Sequence, residues 1–167
     1  MRGFVIVLMA MVLSSCATVQ KLDAASDVHA LLVSIRDGDR ATFDSLVDER
    51  ALKYELRSRL VAEAGRDGRV PAVLAAVLAP SIAEVAGEAL IRPEVFRAVA
   101  ESYGYRRDMK IPGVVGISTL LQPLDQGRVC AVTKKGGPCQ LIFTQGPDTR
   151  WRLSGVEGDL SKLRLRR

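Results

Sequence analysis

Three thiols, one imidazole and a few carboxylates are the groups in this chain that could do covalent or acid–base chemistry. The thiols are Cys16, Cys130 and Cys139, and the single histidine is His29. Glu84 and Glu88 stand one helical turn apart, a spacing that pairs a general acid with a general base only if a cleft drives their environments apart. His29 has no nucleophile or carboxylate at motif spacing. The sequence also lacks a G-x-S-x-G elbow, a phosphate-cradling glycine loop and a metal-ligand cluster. Arg50, Lys53 and Arg57 recur at helical spacing as a basic stripe, which is either an anion-binding face or a solvated one. No catalytic residue, no metal and no cofactor is therefore expected.

Cys16 is set apart by what precedes it. Arg2 supplies a positive charge, and residues 3–13 (GFVIVLMAMVL) follow without a charge, then Ser14 and Ser15. As a helix this run reaches about 16 Å, roughly half of a hydrocarbon core, and is too short to span it. A basic start, a short apolar middle and small residues at the boundary read as an export signal over residues 1–15. Leu13-Ser14-Ser15-Cys16 resembles the lipobox of bacterial lipoprotein precursors. The resemblance implies cleavage before Cys16 and a diacylglyceryl group on its thiol. Each buried methylene is worth about 0.8 kcal/mol and one acyl chain binds only marginally, so two or three chains would anchor the protein stably without a membrane-spanning helix. By resemblance to sorting in double-membraned envelopes, Ala17 after the lipidated cysteine points to the outer membrane, facing the periplasm. The rival readings are ordinary signal cleavage after Ala17 and an uncleaved anchor helix.

With Cys16 assigned to lipid, Cys130 and Cys139 remain as a pair, and in an oxidising envelope a pair is expected to close. The intervening AVTKKGGP carries a Lys134-Lys135-Gly136-Gly137 turn that would bring the two cysteines near each other on a hairpin. Two buried free thiols and half a zinc site are the alternatives, the latter disfavoured because four ligands are usual. Residues 16–167 suit one domain with one core. The net charge of +5 is mild, and only 5% of residues are aromatic, few stacking platforms for a nucleic acid. Export also argues against nucleic acid. A membrane surface, a lipid or an envelope protein is the expected partner, and oligomeric state is not readable.

Several elements must position these groups. Residues 16–25 read as a tether, and Ser26 as the cap of a helix with Val28, Leu31, Leu32 and Ile35 at helical spacing, stopped by Asp37-Gly38. Asp39 begins a second helix. Asp48 caps a third, in which Leu52, Leu56 and Leu60 fall four apart and Glu55 and Arg59 form an i, i+4 pair. Residues 71–91 read as a proline-broken buried helix pair; Pro80, Glu84 and Glu88 argue against a membrane span. Pro93 favours another helix start, with a stop at Gly104. Beyond Gly113 the pattern turns β-rich, with strands expected over 114–124, 128–133, 139–145 and 150–156 as an antiparallel meander. Helices over 26–104 followed by a sheet over 113–160 make an α+β domain, helices packed on one face of a four-stranded sheet. Trp151 is expected in the core with a partner for its N–H, and the closing KLRLRR (162–167) as a basic tail.

Three stretches carry a wider resemblance: DRATFDSLVDERALKYELRSRL (39–60), LIRPEVFRAV (90–99) and RWRLSGVEGDL (150–160). Together they are similar to the bacterial domain of unknown function 2939 family, with its Leu46-Val47-Asp48 helix junction, its Pro93-Glu94 helix start and a late tryptophan strand. The resemblance implies an envelope protein with an amino-terminal membrane signal and transfers no catalytic residue. The lipobox and the cysteine hairpin depart from that pattern. The combined expectation is a lipid-anchored envelope lipoprotein that works as a non-catalytic binding or adaptor module. An acyl-chain carrier with a helix–sheet cavity is the alternative, and an enzyme using His29, Glu84 or Glu88 the more distant one.

Overall fold

The computed structural model describes residues 2–67, 81, 84–85, 87–102, 104–125 and 127–157. Of the expected helix pair over 71–91 only residues 81, 84–85 and 87–91 are among them, and the basic tail over 162–167 lies outside. Among the described residues the helices α1 (Arg2–Asp37), α2 (Arg40–Ser45), α3 (Glu49–Asp67), α4 (Pro93–Ser102) and α5 (Val114–Ser118) come first, with a helical turn at 87–90 before α4. Four strands follow: β1 (Leu121–Asp125), β2 (Arg128–Val132), β3 (Cys139–Gln145) and β4 (Trp151–Val156). They form one antiparallel sheet in the order β1-β2-β3-β4, so the expected α+β meander is observed.

α1 is the hub, touching α2, α4, α5, β1 and β4. Its inner stripe is Ala24, Ala25, Val28 and Leu31, at the spacing of one helical face. Against it pack Leu121, Val129, Phe143, Trp151 and Leu153 from the sheet, and Phe43 and Leu46 from the α2 region. Phe43 also meets the Phe96 ring of α4 edge to face, with centroids 5.3 Å apart, a geometry that suits the aromatic quadrupole. In β4, Trp151, Leu153 and Gly155 are buried while Arg152 and Ser154 are half-buried, the alternation of a strand with one face on the core.

The helix boundaries follow capping chemistry. Asp39 caps α2, its carboxylate accepting from the Thr42 N–H (3.1 Å) and hydroxyl (2.6 Å). Asp48 caps α3 by accepting from the Ala51 N–H at 2.9 Å. After α4, Gly104 adopts φ of 92°, and Tyr105 N–H reaches back to the Ala100 carbonyl, closing the helix with a left-handed glycine.

Two expectations are corrected. Residues 16–25 are not a tether: α1 runs through them without a break, and Ala24 and Ala25 are fully buried, so Ser26 is an exposed mid-helix residue and not a cap. Two alanines look weakly apolar in sequence, yet their small size is what lets α1 lie close to the sheet. The strand expected over 114–124 begins only at Leu121, and Val114–Ser118 is helical instead. The ladder explains this. β2 ends at Val132, whose N–H bonds the Leu120 carbonyl, so residues 114–119 have no strand to pair with. Backbone groups without a ladder partner must bond within their own segment, and the β-branched run coils, burying Ile117.

The Cys130–Cys139 disulfide is closed across the β2–β3 hairpin, with a Cα–Cα distance of 5.6 Å, inside the range such bridges need. Reduction is expected to lower stability by roughly 2 to 3 kcal/mol, the loop entropy of so short a closure; an unchanged urea midpoint in the presence of reductant would contradict this. A pH dependence also follows. The Thr42 hydroxyl and amide hold the Asp39 carboxyl below its ordinary range, as Arg128 does for Asp125 and Arg152 for Asp148. In the unfolded chain these groups return to about 3.9, so on acidification the unfolded state takes up protons first. Their contribution is present above about pH 4 and is lost as pH falls toward the folded values. The urea midpoint should drop below that pH, and less steeply for Asp148→Asn; a midpoint that holds on acidification would refute it.

Candidate functional site

The residues singled out in the sequence do not converge. Cys16 lies within α1, outside the cysteine bridge. His29 is half-buried, and its Nδ1 lies 3.0 Å from the Pro112 carbonyl, a structural bond between α1 and the segment before α5. Glu84 and Glu88 are exposed. Glu84 is taken up by Lys53, whose Nζ lies 2.6 Å from it and 2.8 Å from Glu49. First Glu49 and then Glu84 push the Lys53 ammonium's pKa up, so it stays charged. The lysine stem lies so close to Gly87 that a Cβ there would come within 2.6 Å of it. Lys53 is thus a strut between α3 and the helical turn at 87–90, and the basic stripe is reduced to Arg50 and Arg57, exposed on either side of Tyr54. Among the described residues no group of three or more His, Cys, Asp or Glu side chains could hold a metal.

The densest polar cluster was not foreseen. Asp23 and Asp27, one turn apart on α1, seize the start of β4. Asp23 Oδ2 accepts from Trp151 Nε1 at 2.8 Å and from Gln145 Nε2 at 3.3 Å. Asp27 Oδ2 accepts from the Trp151 backbone N–H at 2.8 Å, and its Oδ1 pairs with Arg150 Nε at 3.0 Å. Trp151 is 1% exposed, so the indole N–H gets the partner its burial demands. Glu55 and Arg59 repeat the device from α3. Glu55 Oε2 accepts from the Val156 N–H at 3.0 Å, and Arg59, paired with Glu55, donates to the Val156 carbonyl. The i, i+4 acid pair on α1 was visible in the sequence; its target was not, because only the fold brings residue 151 to it. All four side chains are bonded to backbone or core groups, so the cluster acts as a clamp.

The end of α1 that follows Cys16 has a different character. Val19 is 66% exposed and Leu22 40%, while Gln20 Nε2 donates to the Asp125 carbonyl at 3.1 Å, fixing this part of the helix to the tip of β1 where Leu124 is 48% exposed. Among the described residues no helix is long and apolar enough to cross a membrane.

Removing the Asp27 carboxylate leaves the Trp151 N–H without its acceptor and Arg150 without its partner. Asp27→Ala should therefore destabilise by about 1 to 3 kcal/mol, read from urea denaturation followed by the emission of the protein's one tryptophan. Asp27→Asn, which keeps an acceptor oxygen, should lose less, and wild-type stability in Asp27→Ala would contradict the clamp.

No curated protein and no solved structure matches the chain. A family profile described as "Protein of unknown function (DUF2939)" matches residues 4–99, from the apolar run before Cys16 into α4. That span holds two of the three stretches that carried the resemblance, and the tryptophan strand lies beyond it. With more than half of its residues inside the match, the chain belongs to this family of proteins of unknown function.

Proposed function

We propose that the protein is a lipid-anchored bacterial envelope lipoprotein, cleaved before Cys16 and acylated on that thiol, whose domain acts as a binding or adaptor module in the periplasm, at the outer membrane. The observation that carries the reading is the Leu13-Ser14-Ser15-Cys16 boundary at the end of a short uncharged run. Two further features support it. Cys130 and Cys139 are bonded to each other, as suits an oxidising compartment, and Cys16 is left as the odd thiol. The polar side chains best suited to chemistry are spent on structure: His29 on Pro112, Glu84 on Lys53, and Asp23 and Asp27 on Trp151. A binding role fits that inventory better than an enzyme does. The partner is an envelope protein or a lipid.

Intact-mass measurement of the protein extracted from the membranes of its native cells tests the anchor. The expected species begins at Cys16 and carries the added mass of two or three acyl chains, and Cys16→Ser abolishes both the lipid and the cleavage. A soluble cytosolic chain that retains residues 1–15 would overturn the reading.

A further inference from the structure

The path from Cys16 into the domain has no slack. α1 is unbroken from before Cys16 to Asp37, Gln20 is fastened to the tip of β1, and Ala24 and Ala25 are fully buried. At about 1.5 Å per helical residue, Gln20 stands about 6 Å and Ala24 about 12 Å along the axis from Cys16. The polar layer of one bilayer leaflet is about 5 to 7 Å deep, and a domain of about 150 residues has a radius of gyration of about 15 Å. With its acyl chains in the bilayer, Cys16 sits at the boundary between hydrocarbon and headgroups. With α1 upright, Gln20 and the tip of β1 stand at the outer limit of the headgroups, and tilting α1 brings the domain into them.

The surface at this end suits such a position. Val19 and Leu22 are the exposed large apolar residues of the first turns after Cys16, and Leu124 lies beside the Asp125 carbonyl that holds Gln20. Exposed apolar side chains beside an acyl anchor are the groups that enter the acyl boundary of a membrane interface.

The geometry points to a bilayer-contact face made of Val19, Leu22 and Leu124, on which the domain rests directly against phospholipid. The inference rests on the anchor proposed above and adds that the anchor acts as a rigid stem, holding the domain in one orientation with this face down.

The test uses the acylated protein in phosphatidylethanolamine–phosphatidylglycerol vesicles. An environment-sensitive fluorophore is placed through Val19→Cys, Leu22→Cys or Leu124→Cys, with Tyr54→Cys, also an exposed position, as the reference. Intact mass before labelling establishes the acyl chains and the closed Cys130–Cys139 bridge in each variant. Lipids carrying a shallow spin-label quencher should quench positions 19, 22 and 124 at least twofold more than position 54. Equal quenching at all four positions in acylated protein would overturn the contact face while leaving the anchor standing. A mass without acyl chains would overturn the anchor, and the face with it.

Discussion

The outer edge of β4 is the constraint around which the domain is arranged. As the last strand of a meander, β4 would present a row of unpaired N–H and C=O groups, each costing about 1 to 3 kcal/mol if buried unsatisfied. Three separate parts of the chain meet that demand. Asp27 on α1 takes the Trp151 N–H; the Leu46 carbonyl and Asp48 N–H take both groups of Leu153; and Glu55 with Arg59 on α3 takes both groups of Val156. Val47, lying between Leu46 and Asp48, bridges Leu153 as a one-residue parallel extension of the sheet. The edge is thereby closed to a further strand, and the helices are fixed in position by the bonds that close it. The opposite edge is handled differently: β1 carries Pro123, which has no N–H to leave unpaired.

Because α1 supplies both the Asp23–Asp27 clamp and the Ala24, Ala25, Val28, Leu31 stripe of the core, its orientation relative to the sheet is set twice, by hydrogen bonds and by packing. The same helix contains Cys16. An anchor at that thiol would therefore join the membrane to the most constrained element of the fold. A lipoprotein with a long flexible linker samples a volume around its anchor point; an anchor on Cys16 would instead be followed by a helix whose next few turns are core. The binding role proposed for the domain would then be directional, with its partner-facing surfaces at a fixed height above the lipid.

The sequence revealed most where a signal is local. Asp39 and Asp48 as caps, Pro93 as a helix start, Gly104 as a stop, and β3 with its neighbouring turns could all be read because capping and turn chemistry act over a few residues. The cysteine pair was readable because the turn between its members fixes their separation. Readings failed where the decision is made by something distant in the chain. Residues 114–118 have strand-like composition but no partner strand, and the length of β2, not their own sequence, makes them helical. Ala24 and Ala25 carry too little hydrophobicity to mark a core stripe, so the helix seemed to start at Ser26, although the sheet packs against them. The clamp at Asp23 and Asp27 was hidden for the same reason. Two acids a turn apart on a helix are ordinarily solvated, and only the return of β4 to α1 gives them a purpose.

Backbone hydrogen exchange in the membrane-bound protein probes most directly whether the segment after Cys16 is a rigid stem. If the helix that carries the anchor is continuous with the core, the amides of residues 21–25 are protected to the same order as those of residues 28–35. Exchange across 21–25 at the rate of unstructured chain, with 28–35 still protected, would show a flexible tether in that place and contradict the coupling of membrane to fold.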